Sequence, residues 1–353
     1  VSEIVQRTPA AAGGSPGGLA GGSAVWGRLR TAGAVLVRQR EATVFVVVVL
    51  MIVYFGFIST AGRSTFFTRV DLVNLSQIAA QIIIIAIGEV LVLICGEIDL
   101  SPGFVYMFAP FLMHYLIDFY GVPAIPAILL SLLFGAVVGW VNAFLTVNVG
   151  LPSFISTLGT GFILWGLTLT TCHAEQANIP ASAAGIGRYL GSDAWSEIIW
   201  AVLLVAIFHV VLTRTRWGLH TIAVGGNQLG AREAGVNVAR IKYGNFMITG
   251  VLGALVGIQV AFQTSIIDPS SGQYLPMFYS VAAAVIGGTA MLGGSGTMIG
   301  AFLGATMLAV LQDGFFVLGI SANPLNMIFG GAIVVAMIAN VQLARLRGRG
   351  RAI

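Results

Sequence analysis

A chain of 353 residues in which 57% of side chains are apolar and 8% are charged, with a mean hydropathy of +0.95, falls outside the class of soluble domains. Its uncharged runs are long enough to cross about 30 Å of hydrocarbon, so it reads as a polytopic membrane protein. The formal charge of +4 and the pI of about 9.3 do not signal nucleic acid, because the basic residues sit in clusters between apolar runs, which is how membrane topology is written.

Residues 1–41 read as a disordered basic tail, since PAAAGGSPGGLAGGSA is too poor in large apolar groups to fold. Arg28, Arg30, Arg38 and Arg40 precede the first apolar run, which is longer than a signal-peptide core and is followed by no A-x-A cleavage pattern. Ten runs of suitable length follow one another: about 42–62, 72–95, 101–119, 124–148, 154–172, 194–213, 243–265, 277–293, 297–319 and 325–343. The expected fold is therefore an all-α membrane bundle over 42–343, with a cytoplasmic loop at 214–242 and a basic tail at 344–353. Fourteen of the seventeen basic residues lie before the first run, between Arg214 and Lys242, or after the last run, which places both termini and that loop in the cytoplasm. The remaining three, Arg63, Arg69 and Arg188, fall on the outer face, where they are candidates for docking an extracytoplasmic protein or for contact with solvent and lipid headgroups.

Glu89, Glu97 and Asp99 lie within or at the inner end of the second run, where a carboxylate at the bilayer centre costs roughly 2.5–3.5 kcal/mol. Two readings stand for them: lining of a translocation path or proton relay, and a helix break in which Asp99 and Ser101 cap the helix that starts near Pro102. Asn142, with Gln81, Gln259, Gln263 and Asn326, either hydrogen-bonds a passing solute or ties helices together. Gly135/Gly139, Gly253/Gly257 and Gly296/Gly300/Gly304 recur every four residues, the spacing that lets membrane helices approach closely. Cys95 and Cys172 read as packing residues, and the four histidines show no metal-ligand spacing, so neither metal nor cofactor is expected.

The stretch AVGGNQLGAREAGVNVARIK, Ala223 to Lys242, is long and polar for so apolar a chain. Asn227 suits an N-cap, Gln228, Leu229, Gly230, Ala231, Arg232, Glu233 and Ala234 a short helix, and Gly235 the left-handed residue that ends it. Such a knob fits a groove on another protein. Lys242, the chain's one lysine, is not preceded by a glycine-rich loop, so the chain carries no P-loop; if ATP is the energy source, another subunit hydrolyses it.

Four ordered stretches carry a family resemblance. CGEIDLSPG (95–103), LPSFISTLGT (151–160), WGLHTIAVGGNQLGAREAGVNVARIK (217–242) and VIGGTAMLGGSGTMIGAFLGA (285–305) resemble segments of the permease subunits of ribose-type ATP-binding-cassette sugar importers. The sequence departs from that pattern at Glu97, where the family motif has its second glycine, at Pro102 in place of valine, and at Ser295 in place of arginine. The resemblance implies a bacterial cell-membrane permease, paired with a second permease chain, set above two ATPase subunits and below an extracytoplasmic sugar-binding protein. In it, Asn227–Gly235 would be the coupling helix and its caps, with Arg232 and Glu233 touching the ATPase. Two other readings are carried: a branched-chain amino-acid permease of the same superfamily, and a proton-coupled transporter using Glu89 or Asp99.

Overall fold

The computed structural model describes residues 40–58, 66–270 and 275–319, with scattered helical positions between 327 and 338. Twelve α-helices lie in the continuous described segments: α1 Arg40–Val53, α2 Arg69–Ile94, α3 Pro102–Asp118, α4 Ala124–Phe144, α5 Ser153–Thr171, α6 Ala184–Leu190, α7 Ser196–Arg214, α8 Arg216–Gly226, α9 Gln228–Glu233, α10 Val238–Thr264, α11 Leu275–Ile286 and α12 Met298–Val317. Six of these segments are long and apolar enough to cross a membrane: α2, α4 with its π-helical extension to Val149, α5, α7, α10 and α12. A two-residue antiparallel pair, β1 Ala177–Asn178 and β2 Ile266–Ile267, joins the segment after α5 to the end of α10.

The helix α2 is the axis of the bundle. Its run AQIIIIAIGEVLVLI has no polar stripe, and a helix that is apolar all round must be covered all round. From Ala79 to Ile94 every residue but the half-buried Gln81 is buried, against α7, α10, α11 and α12. The second covered helix, α10, packs on α3 and α4 as well as α2. The outer helices show the reverse: Leu129, Leu133, Val137 and Trp140 form an exposed apolar stripe on α4, and Ile199, Leu203, Ile207 and Val210 another on α7, which suits a lipid surface.

Close approach of backbones sets the helix spacing. A Cβ on Gly250 of α10 would lie 2.0 Å from the Gly135 carbonyl oxygen on α4, and one on Gly257 would lie 2.1 Å from that of Tyr106 on α3. Gly300 and Gly304 on α12 stand in the same relation to Gly287 and Ala283, which brings α11 and α12 together.

The structure corrects the reading of 214–242 as a loop with a single short helix. This segment holds two helices, α8 and α9, and α10 starts at Val238, several residues before the apolar run, because Thr215, Asn227 and Asn237 each cap a helix through the side chain. Ser101 holds the N-cap position of α3 but makes no side-chain cap bond. Residues 1–39 of the N-terminal tail, the C-terminal tail, Arg63 and the tenth apolar run lie outside the described residues, except for the scattered positions between 327 and 338, and Arg40 and Glu41, read as the end of the tail, instead open α1.

Gly250→Ala is expected to cost about 1–3 kcal/mol through overpacking, read as a lower unfolding temperature of the detergent-solubilised chain. Gly166→Ala, on α5 with nothing within 4 Å of the added Cβ, is expected to leave it unchanged or slightly raised.

Candidate functional site

The short helix α9 is built by its two ends. The Asn227 Oδ1 accepts from the Gly230 amide at 3.0 Å, in extended backbone suited to an N-cap. At the other end Ala234 is the C-cap and Gly235 takes φ +82°, where a side chain would be strained, and its amide bonds the Arg232 carbonyl at 2.9 Å. Between the caps, Ala231 is buried among Cys95, Val224, Val238 and Ile241, whereas Gln228, Leu229, Arg232 and Glu233 are exposed. Leu229, at 67% exposure, stands on the same surface as Arg232 and Glu233, so α9 presents one apolar and two charged side chains from a pinned base.

That base is tied to the C-terminal end of α2 at three points. The Ile94 carbonyl accepts from the Gly294 amide at 2.8 Å, and a Cβ on Gly225, in the last turn of α8, would lie 1.5 Å from the same oxygen. Asn245 on α10 donates to the Leu91 carbonyl at 3.2 Å and accepts from Trp217 on α8 at 2.9 Å. Lys242 and Glu97 form an ion pair at 2.5 Å, with side chains 9% and 15% exposed. The departure of Glu97 from glycine is thus matched by Lys242 in the segment that follows α9, a link across 145 residues.

The break between α2 and α3, residues 95–101, carries the other carboxylates. Backbone amides in a break cannot be left unpaired in an apolar bundle. Ser153 Oγ accepts from the Ile98 amide at 3.1 Å, and Thr157 Oγ1 from the Leu100 amide at 3.0 Å, both from one face of α5. Asp99 is fully buried; its Oδ1 accepts from the Ser101 amide at 2.9 Å and the Ser101 hydroxyl at 2.7 Å. Asn142 on α4 extends the chain, donating to Ser101 Oγ at 2.7 Å and accepting from Thr160 at 2.6 Å. Glu89 is fully buried one and a half turns before the end of α2, with Asp99 as its acidic neighbour.

Asn142, Asp99 and Glu89 therefore share a closed compartment inside the bundle, and Glu97 is separate, at the junction with α8–α10. Arg69 is the exposed first residue of α2, and Arg188, on α6, lies over the ring of Tyr189 at 5.7 Å. Both are at the end of the bundle opposite α9, since α2 and α10 run the length of it in opposite directions. Among the described residues, no group of three or more His, Cys, Asp and Glu is arranged to hold a metal ion.

Sequence reasoning missed Gly225, Asn245 and the Lys242–Glu97 pair, because each acquires its partner only from a distant segment. It also passed over Asp313 and Glu197, although a carboxylate inside an apolar run was the signal that drew attention to Glu89.

The family described as branched-chain amino acid transport system, permease component, matches residues 71–338. The chain is similar to the xylose/arabinose import permease protein of Sulfolobus acidocaldarius, 35% identical with 88% of this chain and 87% of that one covered. It is also similar to the fructose import permease protein of Rhizobium meliloti, 29% identical with 84% of each covered, and to the ribose import permease protein of Escherichia coli, 29% identical with 83% and 92% covered. No solved structure matches the chain.

Gly225→Ala is expected to shift the α2–α8 contact and lower the unfolding temperature by several degrees, whereas Gly226→Ala, with nothing within 4 Å, leaves it in place. Lys242→Met is expected to cost about 2 kcal/mol by leaving Glu97 unpaired, and the double variant Lys242→Met/Glu97→Met to recover part of that loss, as a double-mutant cycle of thermal unfolding would read.

Proposed function

Because this chain belongs to the family of permease components just described, a multi-pass membrane protein, we propose that it forms the translocation path of an importer driven by a separate ATP-binding-cassette subunit. The solute is a monosaccharide or polyol, presented by an extracytoplasmic binding protein. Relatives named for import of xylose and arabinose, fructose and ribose, each aligned over more than four-fifths of this chain, support the sugar class. In this reading the chain crosses the membrane about ten times, its termini and α8–α9 face the cytoplasm, and two copies form the path. It binds no cofactor; ATP is held by the partner.

The observation that carries the proposal is the construction of α9. A six-residue helix has too few internal hydrogen bonds to persist alone, and this one is held by two caps and one buried alanine while Leu229, Arg232 and Glu233 project outward. Seated in a cleft of the ATPase, it would transmit closure through Gly225 and the Lys242–Glu97 pair to the inner end of α2. A pull at α9 then acts on the covered central helix.

A second reading is a branched-chain amino-acid permease, favoured by the description of the matching family. Uptake separates the two: cells carrying the complete importer accumulate labelled sugar in one case and labelled leucine in the other.

Purification of the chain in mild detergent from its native membrane, beside the variant Arg232→Ala/Glu233→Ala, tests the ATPase contact. The expected result is an ATP-binding-cassette subunit that accompanies the unaltered chain and is reduced about tenfold or more with the variant. If no such subunit is found after crosslinking, the importer reading fails, and uptake driven by a proton gradient, with Glu89→Gln as the probe, becomes the alternative to measure.

A further inference from the structure

The end of the bundle that carries α9 also carries the turn between α11 and α12, GGTAMLGGSGT, residues 287–297, which holds no charged side chain. Leu292 at its tip is 96% exposed, and Met291 before it is 39% exposed. A single exposed leucine is ordinary on a protein surface. What sets this one apart is that the loop displaying it is fixed on every side.

The Ala290 amide bonds the Ser295 carbonyl at 2.9 Å across the neck of the turn, and the Gly293 amide bonds the Ala290 carbonyl at 3.1 Å within it. Gly293 and Gly294, at φ +89° and +82°, lie in a slot too narrow for side chains. A Cβ on Gly293 would come within 3.0 Å of both the Gly225 and the Ile94 carbonyl oxygens, and one on Gly294 within 3.2 Å of Gly226 Cα. The two residues after Leu292 are thereby wedged between the C-terminal end of α2 and the last turn of α8, directly before the Asn227 cap of α9. Farther along, Thr297 Oγ1 accepts from the Gly300 amide at 3.0 Å to cap α12, and its hydroxyl donates to Glu41 at the start of α1. The ends of four helices are thus joined through one short loop.

A loop held in this way cannot fold Leu292 inward, and its place in the bundle says what can cover it. Ile94 ends α2, the helix covered all round by this chain, so the loop closes the end of the bundle axis rather than its flank. The exposed apolar stripes that suit lipid lie on α4 and α7. A neighbour in the plane of the membrane packs on the flank, whereas a soluble subunit meets the end. Leu229 of α9, 67% exposed, and Leu292 both spring from the Gly225–Gly226 contact, which gives such a subunit two apolar anchors with Arg232 and Glu233 as a charged rim.

We propose that the turn at 290–295 is a second docking point for the ATP-binding-cassette subunit, with Leu292 entering an apolar pocket on it. The inference rests on the importer reading above and extends it. Two attachment points fix the orientation of the subunit, and the bond from Gly294 to Ile94 carries a displacement of the turn to α2 without passing through the Lys242–Glu97 pair.

Photocrosslinking tests this on the permease purified in nanodiscs with its ATP-binding-cassette subunit. Leu292→Cys, Leu229→Cys and, at the opposite end, the exposed Ser182→Cys each receive a benzophenone maleimide; Cys95 and Cys172 are buried and leave the new thiol as the reactive one. The expected result is an adduct with the subunit from positions 292 and 229, identified by the subunit's P-loop peptide, and none from 182. Leu292→Asp is expected to weaken retention of the subunit about tenfold or more, with the unfolding temperature of the permease alone unchanged because the side chain is solvent-exposed.

Absence of a subunit adduct from 292, or retention unchanged in Leu292→Asp, overturns the second docking point and leaves the importer reading standing. So does an adduct from 292 confined to lipid or to a second copy of this chain. A permease that purifies with no such subunit, even after crosslinking from 229, removes the importer reading together with this one.

Discussion

A helix break inside an apolar bundle exposes backbone amides and carbonyls that neither lipid nor hydrocarbon side chains can satisfy, and the interval between α2 and α3 is such a break. Its amides at Ile98 and Leu100 are met by Ser153 and Thr157 on α5, and the Ile94 carbonyl before it by the Gly294 amide. The four stretches that carry the family resemblance are thus one object in space. CGEIDLSPG supplies the break, LPSFISTLGT the hydroxyls that satisfy it, the glycine-rich late segment the donor to Ile94, and the α8–α9 segment the close contact through Gly225.

This arrangement explains why polar residues occur where they do. Asp99 folds back on Ser101, Asn142 reaches the same hydroxyl from α4, and Thr160 completes the chain. Glu97 would be an expensive group at the edge of the bundle without Lys242, and Lys242 equally so without Glu97. Their pairing ties the segment after α9 to the end of α2 without adding apolar contact, so the junction is held by a few directed bonds on a rigid, fully covered helix. In the proposed importer that stiffness would serve transmission: a displacement at α9 has little compliant structure between it and α2.

The two ends of the bundle differ in kind. At the end that carries α9, Ser101, Asn142, Glu97 and Lys242 find partners within the chain. At the opposite end, Asp71 on α2 and Asp313 on α12 face each other as a hydrogen-bonded pair of carboxyl groups. The same central helix α2 connects them, with Gln77 and Gln81 on its N-terminal half and Glu89 on its C-terminal half.

Much of this was legible in the sequence. Apolar run length gave the membrane class, and six of the ten runs are helices long and apolar enough to span, because insertion depends on local composition. The caps of α9 were readable for a similar reason, since Asn227 bonds the amide three residues on and Gly235 relieves strain at its own backbone. The glycine periods announced close packing, though not the partner: only the fold pairs Gly250 with Gly135 and Gly225 with Ile94. The helix α8 was hidden by its polar composition, which a loop shares. The Lys242–Glu97 and Asp71–Asp313 pairs belong wholly to the tertiary structure. A charge in the sequence states its cost of burial, and the fold alone decides whether a partner 145 residues away meets that cost.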